Sequence, residues 1–309
     1  YDTFVEFAIE GLAEERVGED SIFTRADYSS SANDNFIVEG IEGADTSLGW
    51  VGYAYYKAEQ DKMKGIAIDT GDGCVEPTDE TIAGGTYGFS RSLYIYVNVD
   101  KAAENPALEA YVDLYLSEAG LATVADAGYV DLPAERIQAT QNAWASRGGA
   151  SAPTEEALDL PAGSVFVSGS STVEPISVRV AELADELSGG ALAVAVEGPG
   201  TGDGFKKFCS GESDISDASR PIKDSEAELC AEAGINWVEL EVAIDGLTVA
   251  TNPANTAVEC LDVPALYALI GPESEGFSSW SDANALAAEV GSAYTSFPFR
   301  SATGPRNGS

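Results

Sequence analysis

The chain has 309 residues, which is enough for about two compact domains with substantial cores. Its apolar fraction of 44% is typical of a folded globular protein and excludes disorder over most of the chain. The 52 acidic and 16 basic residues give a net charge of −36, which disfavours nucleic acids and anionic membranes as partners. The absence of histidine excludes the usual serine-hydrolase relay and removes the commonest zinc ligand.

Four cysteines occur without a CxxC pair: Cys74, Cys209, Cys230 and Cys260. An even number in this arrangement favours two structural disulfides over a zinc site, and therefore favours an oxidising compartment. Free buried thiols are the alternative. The chain contains no apolar run long enough to span a bilayer and starts without a signal-like segment, so we expect a soluble protein that is mature or truncated.

The first half of the chain has a mixed α/β pattern. Residues 90–98 are rich in aromatic and β-branched side chains, which predicts a strand. Residues 106–118 and 133–144 each begin with proline and continue with apolar residues at helical spacing, which predicts two helices. Residues 146–156 are small and polar without periodicity, so we interpret them as a linker.

After the linker, a strand, a turn and a helix alternate. The apolar run at 165–167 predicts a short strand. A helix that ends at two glycines is predicted next by the spacing of the apolar residues Ile176, Val180, Leu183 and Leu187. A second strand over 192–196 leads to a glycine-rich turn and a helix over 205–209. This alternation implies parallel strands whose carboxyl ends gather the loops at one edge, where open α/β sheets bind ligands.

Two strand-to-helix turns, residues 168–172 and 200–204, offer backbone N–H groups, hydroxyls and the positive ends of helix dipoles. Both are candidate anion sites, although serine, threonine and glycine in such turns can also serve only as helix caps. Neither turn has the spacing of a Walker motif, and the glycines fit a dinucleotide fingerprint poorly.

Asp217 and Arg220 follow in a segment of small residues that ends at a proline. A carboxylate beside an anion site is useful if the ligand carries a proton, because Asp217 could accept a hydrogen bond from phosphate but would repel sulfate. Arg220 could supply a bidentate fork to the anion. The alternative is a surface ion pair between the two residues.

Three linked segments, SGSSTVEPI (168–176), the loop at 200–204 and DISDASRPI (214–222), resemble the periplasmic phosphate-binding proteins of bacterial phosphate ABC transporters in order and spacing. The first half also resembles this family in YSSSANDN (28–35), GWVGYAYY (49–56) and SRSLYIYV (90–97), which match its carboxyl-terminal part. The resemblance thus covers nearly the whole chain, but in the opposite order. We therefore predict a circular permutation joined at Gly148 and Gly149, and we interpret it as engineered.

The resemblance implies an α/β, type II periplasmic-binding-protein fold of two lobes with the ligand in a cleft between them. It implies phosphate contacts from Ser171, Thr172, Thr201, Gly202 and Asp217. A further Ser-Gly-Thr loop of the family corresponds to Asn307, Gly308 and Ser309, an imperfect match that leaves affinity open. The family's arginine corresponds best to Arg306, with Arg300 and Arg220 as competitors.

The same resemblance places one lobe at 86–249, including the joining linker 147–163, and the other at 1–85 with 250–309. Cys209 and Cys230 then share one lobe and Cys74 and Cys260 the other, which implies those two disulfides. The implied function is high-affinity binding of inorganic phosphate for delivery to a transporter permease. We expect a monomer without metal or other cofactor, in the periplasm or outside the cell and lipid-anchored in the native precursor.

Two other functions remain open at this stage. One is an engineered biosensor or scaffold with weakened binding, in which the new termini would report ligand binding. The other is a phosphatase with Ser171 or Thr172 as nucleophile, which the lack of histidine and of an evident metal-carboxylate cluster argues against.

Overall fold

A computed structural model describes residues 2–18, 23–29, 31, 33–147 and 159–297. The chain divides into two compact units, here called the split unit (1–90 with 246–309) and the continuous unit (91–245). The assignment of lobes to 86–249 and to 1–85 with 250–309 stays a prediction. Most of the predicted linker lies outside the described residues, and the helix before it extends to Ser146.

Residues up to 90 form short elements of the split unit, in chain order α1 (Asp2–Ala8), α2 (Glu10–Arg16), α3 (Asp34–Glu42), β1 (Leu48–Gly52), α4 (Tyr53–Ala58), β2 (Lys64–Gly65), β3 (Ala67–Asp69), β4 (Cys74–Val75) and α5 (Asp79–Ala83). The continuous unit follows with β5 (Ser90–Asn98), α6 (Val99–Glu104), α7 (Pro106–Tyr115), α8 (Glu118–Asp126), α9 (Ala134–Ser146), β6 (Gly163–Gly169), α10 (Glu174–Ser188), β7 (Leu192–Glu197), α11 (Thr201–Cys209), β8 (Ile215–Ala218), α12 (Asp224–Glu232) and β9 (Trp237–Thr251). The chain then returns to the split unit with β10 (Cys260–Asp262), α13 (Val263–Ile270) and α14 (Asn284–Glu289).

In the continuous unit the strands follow the order β9-β5-β8-β6-β7. Strand β6 runs parallel to both β7 and β8, and β5 runs antiparallel to β8 with Ile95 opposite Asp217. The predicted parallel strands with helical crossovers are therefore present, and one antiparallel strand borders them. Because β6, β7 and β8 are parallel, their carboxyl ends lie at the same edge of the sheet.

The sheet of the continuous unit has an apolar core on each face. One core packs Leu93, Ile95, Val97, Val167 and Ile215 against α7 and α10. The other packs the remaining side-chain face of β5 and β8 against α11 and α12. The alternation along β5 follows from the period of two in a strand, which sends odd and even residues to opposite faces.

In the split unit, β1 and β2 each pair antiparallel with the last residues of β9. A small separate sheet has the order β10-β3-β4, with β10 parallel to β3 and β4 antiparallel to it. Val38, Ile41, Val51, Met63 and Ala250 form a buried cluster beside β1.

Both disulfides have the expected partners: Cys74 is bonded to Cys260 within the split unit, and Cys209 to Cys230 within the continuous unit. The described residues contain no free cysteine. Neither bond connects the two units, because each pair lies inside one of them.

Helix α10 illustrates how the sequence determines a local element. It has proline in its first turn and ends where Gly189 adopts a left-handed conformation with φ of 64°. Ile176 and Val180 of the predicted stripe are fully buried, but Leu187 is exposed. The stripe therefore points into the core along only part of the helix.

Candidate functional site

The candidate site lies at the carboxyl edge of β6, β7 and β8 in the continuous unit. The Ser170 amide donates to the Asp217 carbonyl at 2.8 Å, which joins the turn after β6 to β8. The Gly200 amide donates to the Gly169 carbonyl at 2.8 Å, which joins the turn after β7 to β6. These two bonds bring together the three segments that carry the predicted contacts in the continuous unit.

Two glycines allow this close approach of backbones. A Cβ atom on Gly169 would lie 2.1 Å from the Asp217 carbonyl oxygen, and one on Gly204 would lie 2.4 Å from the Gly169 Cα. Neither space can hold a side chain without moving the main chain. The glycines at these two positions are therefore required by packing between the turns.

The turn after β7 is shorter than the sequence indicates. Residues 200–204 were expected to form a loop, but α11 already begins at Thr201, directly after Gly200 with its positive φ of 109°. The two glycines inside the first turn lower helix propensity, which is why the pattern indicates a loop. As a result, Thr201 and Gly202 occupy the helix N-terminus, where their amides have no intrahelical acceptor.

The turn after β6 leads into the N-terminus of α10. Within it the Thr172 amide donates to the Ser170 hydroxyl at 3.2 Å, and the Glu174 amide donates to the Ser170 carbonyl at 2.9 Å. Ser171 is exposed and Thr172 is partly exposed, so both side chains are accessible to a ligand. The Thr201 hydroxyl of the other turn accepts a bond from the Ser219 amide at 3.3 Å, which places Thr201 beside the end of β8.

Asp217 is fully buried in β8. Its Oδ1 accepts a hydrogen bond from the Ser177 hydroxyl at 3.0 Å, whereas Oδ2 is buried without a hydrogen-bond partner among the described residues. The alternative of a surface ion pair between Asp217 and Arg220 is therefore wrong. A carboxylate oxygen in this state is costly unless a donor reaches it.

Burial raises the pKa of Asp217 to about 7. The hydrogen bond from Ser177 opposes this shift, and the charge of Glu174 adds to it. Asp217 thus changes charge near neutral pH, far above the ordinary range of an aspartate. Above that pH it is predominantly a hydrogen-bond acceptor, and below it predominantly a donor.

Arg91, which the sequence analysis did not assign to the site, contacts it in the structure. Its Nη2 donates to the Thr172 hydroxyl at 3.2 Å, and its Nε donates to Asp245 Oδ2 at 3.2 Å. Arg91 and Asp245 have only 15% and 11% of their side-chain surface exposed. A largely buried arginine therefore lies next to a predicted phosphate contact, held by an acidic partner.

The arginines expected from the sequence are placed differently. Both Nη atoms of Arg220 donate to the Glu226 carboxylate at 2.8 Å, so its bidentate fork is used within the protein. Arg300, Arg306, Asn307, Gly308 and Ser309 lie outside the described residues. The expected second loop of the cradle therefore stays a prediction.

The split unit contains a separate cavity of about 390 Å³. Tyr28, Trp50, Phe277 and Trp280 are among its lining residues, and Arg25 at its wall is paired with Asp27. Two of the segments that resemble the phosphate-binding family, 28–35 and 49–56, contribute to this lining.

No group of three or more metal-ligating side chains occurs in the ranges that the structure describes. In the same ranges, no helix combines the length and apolar character needed to cross a membrane.

The mixed α/β architecture is that of a type II periplasmic-binding-protein fold. Residues 150–297 match the family model of the PBP superfamily domain. The structure resembles that of a phosphate-binding protein of a phosphate ABC transporter from Streptococcus pneumoniae, with a TM-score of 0.63 and 16% sequence identity over 84% of this chain and 86% of that one. At this identity the likeness supports the fold.

Curated relatives match a shorter segment at higher identity. Protein SphX of Synechocystis sp. is 42% identical over 114 residues, which are 36% of this chain and 33% of the relative. The phosphate-binding protein PstS of Staphylococcus aureus is 39% identical over 117 residues, which are 38% of this chain and 34% of the relative. The chain thus matches about a third of the length of these relatives. The order of its segments and its engineered origin stay predictions.

Proposed function

We propose that this protein binds inorganic phosphate at the edge of β6, β7 and β8 and passes it to the permease of an ABC transporter. The observation that carries the proposal is the buried Asp217, whose Oδ2 has no hydrogen-bond partner among the described residues. Its carbonyl accepts a hydrogen bond from the turn after β6, and Ser219, just past the end of the same strand, donates to Thr201 at the N-terminus of α11. This combination suits an anion that carries its own proton.

Each part of the proposed site supplies a different interaction. Ser171, Thr172, Thr201 and Gly202 would donate hydrogen bonds from hydroxyls and backbone amides to the phosphate oxygens. Asp217 would accept the proton of the phosphate. Arg91, which is bonded to the Thr172 hydroxyl, would place a positive charge near the anion. Arg220 could contact the anion only if it released the Glu226 carboxylate. Hydrogen bonds within reach of the anion outweigh distant surface charges, which salt screens beyond about 8–10 Å.

The relatives support this assignment through their names. The Staphylococcus aureus relative is a phosphate-binding protein, and the Streptococcus pneumoniae structure is that of a phosphate-binding protein of an ABC transporter. We infer the same ligand here, a monomeric binding protein without cofactor, and no catalysis. Two disulfides favour a location outside the cytoplasm, where a lipid anchor would hold the native precursor near its permease.

The test is calorimetric titration of phosphate and sulfate into phosphate-stripped protein at pH 8, with Asp217→Asn beside the unmodified chain. We expect the unmodified protein to bind phosphate and reject sulfate, because ionised Asp217 repels an anion that has no proton. The asparagine variant presents an N–H donor instead, so the affinity for phosphate should fall and the affinity for sulfate should rise. The ratio of the two affinities should shrink by about 10- to 100-fold, since hydrogen bonds to charged groups contribute roughly 1.5–3 kcal/mol.

Asp203→Asn is the matched control. It removes the same charge from the first turn of α11, but Asp203 is a surface residue paired with Lys206. Sulfate should still be rejected by this variant. Absence of phosphate binding by the folded, unmodified protein would refute the proposal, and release of phosphate from phosphoesters in proportion to protein concentration would indicate a phosphatase instead.

A second experiment identifies the arginine that serves the anion. We expect Arg91→Gln to weaken phosphate binding by about tenfold or more, because it removes a largely buried charge beside Thr172. Arg220→Gln should weaken it less, because the Arg220 guanidinium is already bonded to Glu226. Titrations at two salt concentrations measure both losses, and a larger loss in Arg220→Gln would contradict the assignment to Arg91.

A further inference from the structure

In the continuous unit, between the sheet and helices α7 and α10, two buried hydroxyl groups lead to Asp217. The Ser177 hydroxyl on α10 lies 3.0 Å from Asp217 Oδ1 and 3.2 Å from the Tyr115 hydroxyl on α7. Ser177, Tyr115 and Asp217 are each at most 1% exposed. The Ser177 hydroxyl thus links Tyr115 to Asp217 in a region closed to solvent.

The direction of these hydrogen bonds follows from the number of protons. An ionised carboxylate only accepts, so Ser177 must give its single hydroxyl proton to Asp217 Oδ1. The Ser177 oxygen is then free to accept, and Tyr115 is the donor that reaches it. Burial raises the pKa of Tyr115 well above its ordinary value, so the phenol keeps the proton that this arrangement requires.

We propose that Tyr115 and Ser177 form a relay that holds Asp217 as a hydrogen-bond acceptor and so determine the selectivity of the site for protonated anions. The inference rests on the proposed function and adds positioning residues to it. The relay occupies Oδ1 with a donor and leaves Oδ2 as the oxygen that meets the ligand. Without the relay, Asp217 would take up a proton more readily and would donate to sulfate as well as to phosphate.

Other charged or titratable groups near Asp217 do not provide this donor. Glu174 on α10 is negative and disfavours the ionised form of Asp217. Tyr111 on α7 donates to the Ser177 carbonyl at 3.0 Å rather than to its hydroxyl. On β5 and β9, Arg91 and Asp245 are paired with each other. Ser177 is therefore the side chain through which the acceptor state of Asp217 is stabilised.

Sulfate is the useful probe because it has no proton in the working pH range, so Asp217 is the titrating partner. In the unmodified protein, sulfate affinity should rise by about fivefold from pH 8 to pH 7 and level off at lower pH, because Asp217, with a pKa of about 7, becomes protonated over this range. Ser177→Ala removes a hydrogen bond that stabilises the charged form of Asp217. The curve of sulfate affinity against pH should therefore shift to higher pH by about one unit or more. Tyr115→Phe should move it in the same direction by less, because Ser177 can still donate.

Tyr111→Phe is the matched control, since it deletes from the same helix a phenol hydroxyl that bonds the main-chain carbonyl of Ser177 and leaves the bonds of the Ser177 hydroxyl in place. Its sulfate curve should coincide with that of the unmodified protein. Ser177→Thr keeps the hydroxyl and should restore the original curve. Thermal unfolding and phosphate titration establish that each variant is folded and binds.

A second readout does not depend on any ligand. The carboxyl carbon signal of Asp217, assigned by its loss in Asp217→Asn, reports ionisation directly in the ligand-free protein by NMR. It should titrate at higher pH in Ser177→Ala. If the unmodified protein does not bind phosphate, the proposed function fails and this shift still tests the relay. If phosphate binds but both the NMR midpoint and the sulfate curve are the same in Ser177→Ala, the relay is refuted.

Discussion

Alanine at Gly169 should abolish phosphate binding and lower the free energy of unfolding by about 3 kcal/mol or more. The added Cβ would lie 2.1 Å from the Asp217 carbonyl oxygen and 2.6 Å from its amide nitrogen. Both are main-chain atoms, so relief requires β6 and β8 to move apart. That movement would break the bond from the Ser170 amide to Asp217 and separate the turn after β6 from the carboxylate.

Gly202→Ala is the control in the same site. A Cβ at Gly202 would meet no atom within 4 Å, and alanine keeps the backbone amide that we assign to phosphate. This variant should bind within a few-fold of the unmodified protein and be at least as stable, because alanine favours the helix. Urea unfolding and phosphate titration measure both properties. Normal binding by Gly169→Ala would mean that the three segments need not be held together in this way.

The sequence locates part of this site because its chemistry lies in short segments. Ser171 and Thr172 follow a predicted strand, whereas Asp217 lies in β8, which the sequence analysis did not predict. The two segments meet because the parallel strands β6 and β8 share a carboxyl edge. Arg91 shows where this reasoning fails. It reaches Thr172 across the fold from the start of β5, and no local pattern marks that contact. The signal that could have drawn attention to it is its position in SRSLYIYV (90–97), one of the segments that resemble the phosphate-binding family.

The sequence pattern also does not predict that Asp217 is buried. The resemblance assigns Asp217 as the acceptor of the ligand's proton, which stays a prediction, and an ion pair with Arg220 explains the spacing in the sequence equally well. Only packing of β8 between two cores removes Asp217 from water and directs Arg220 to Glu226. Local propensity was most reliable for β5, where the predicted strand 90–98 matches the observed bounds. It was least reliable at α11, where close packing requires glycine within a helix.

Removal of the Cys74–Cys260 disulfide should destabilise the split unit by about 5 kcal/mol. The bond joins residues separated by 186 positions, and closing a loop of this length removes much entropy from the unfolded chain. It also joins β4 to β10, which belong to a sheet of strands only two or three residues long. Short strands of this kind contribute little stability on their own. The disulfide therefore contributes much of the stability of this small sheet.

Hydrogen exchange followed by mass spectrometry tests this in Cys74→Ala/Cys260→Ala. Amides of β3 and α13 should exchange much faster than in the unmodified protein, whereas those of β6 and β8 should not change, because the continuous unit has its own core. Cys209→Ala/Cys230→Ala provides the comparison. The disulfide that it removes joins residues only 21 positions apart, so the loss of stability from loop closure should be about 3 kcal/mol and should fall on the continuous unit. Equal protection of β3 with and without the Cys74–Cys260 bond would contradict the prediction. It would mean that the packing of α13 and its neighbours suffices to hold the small sheet.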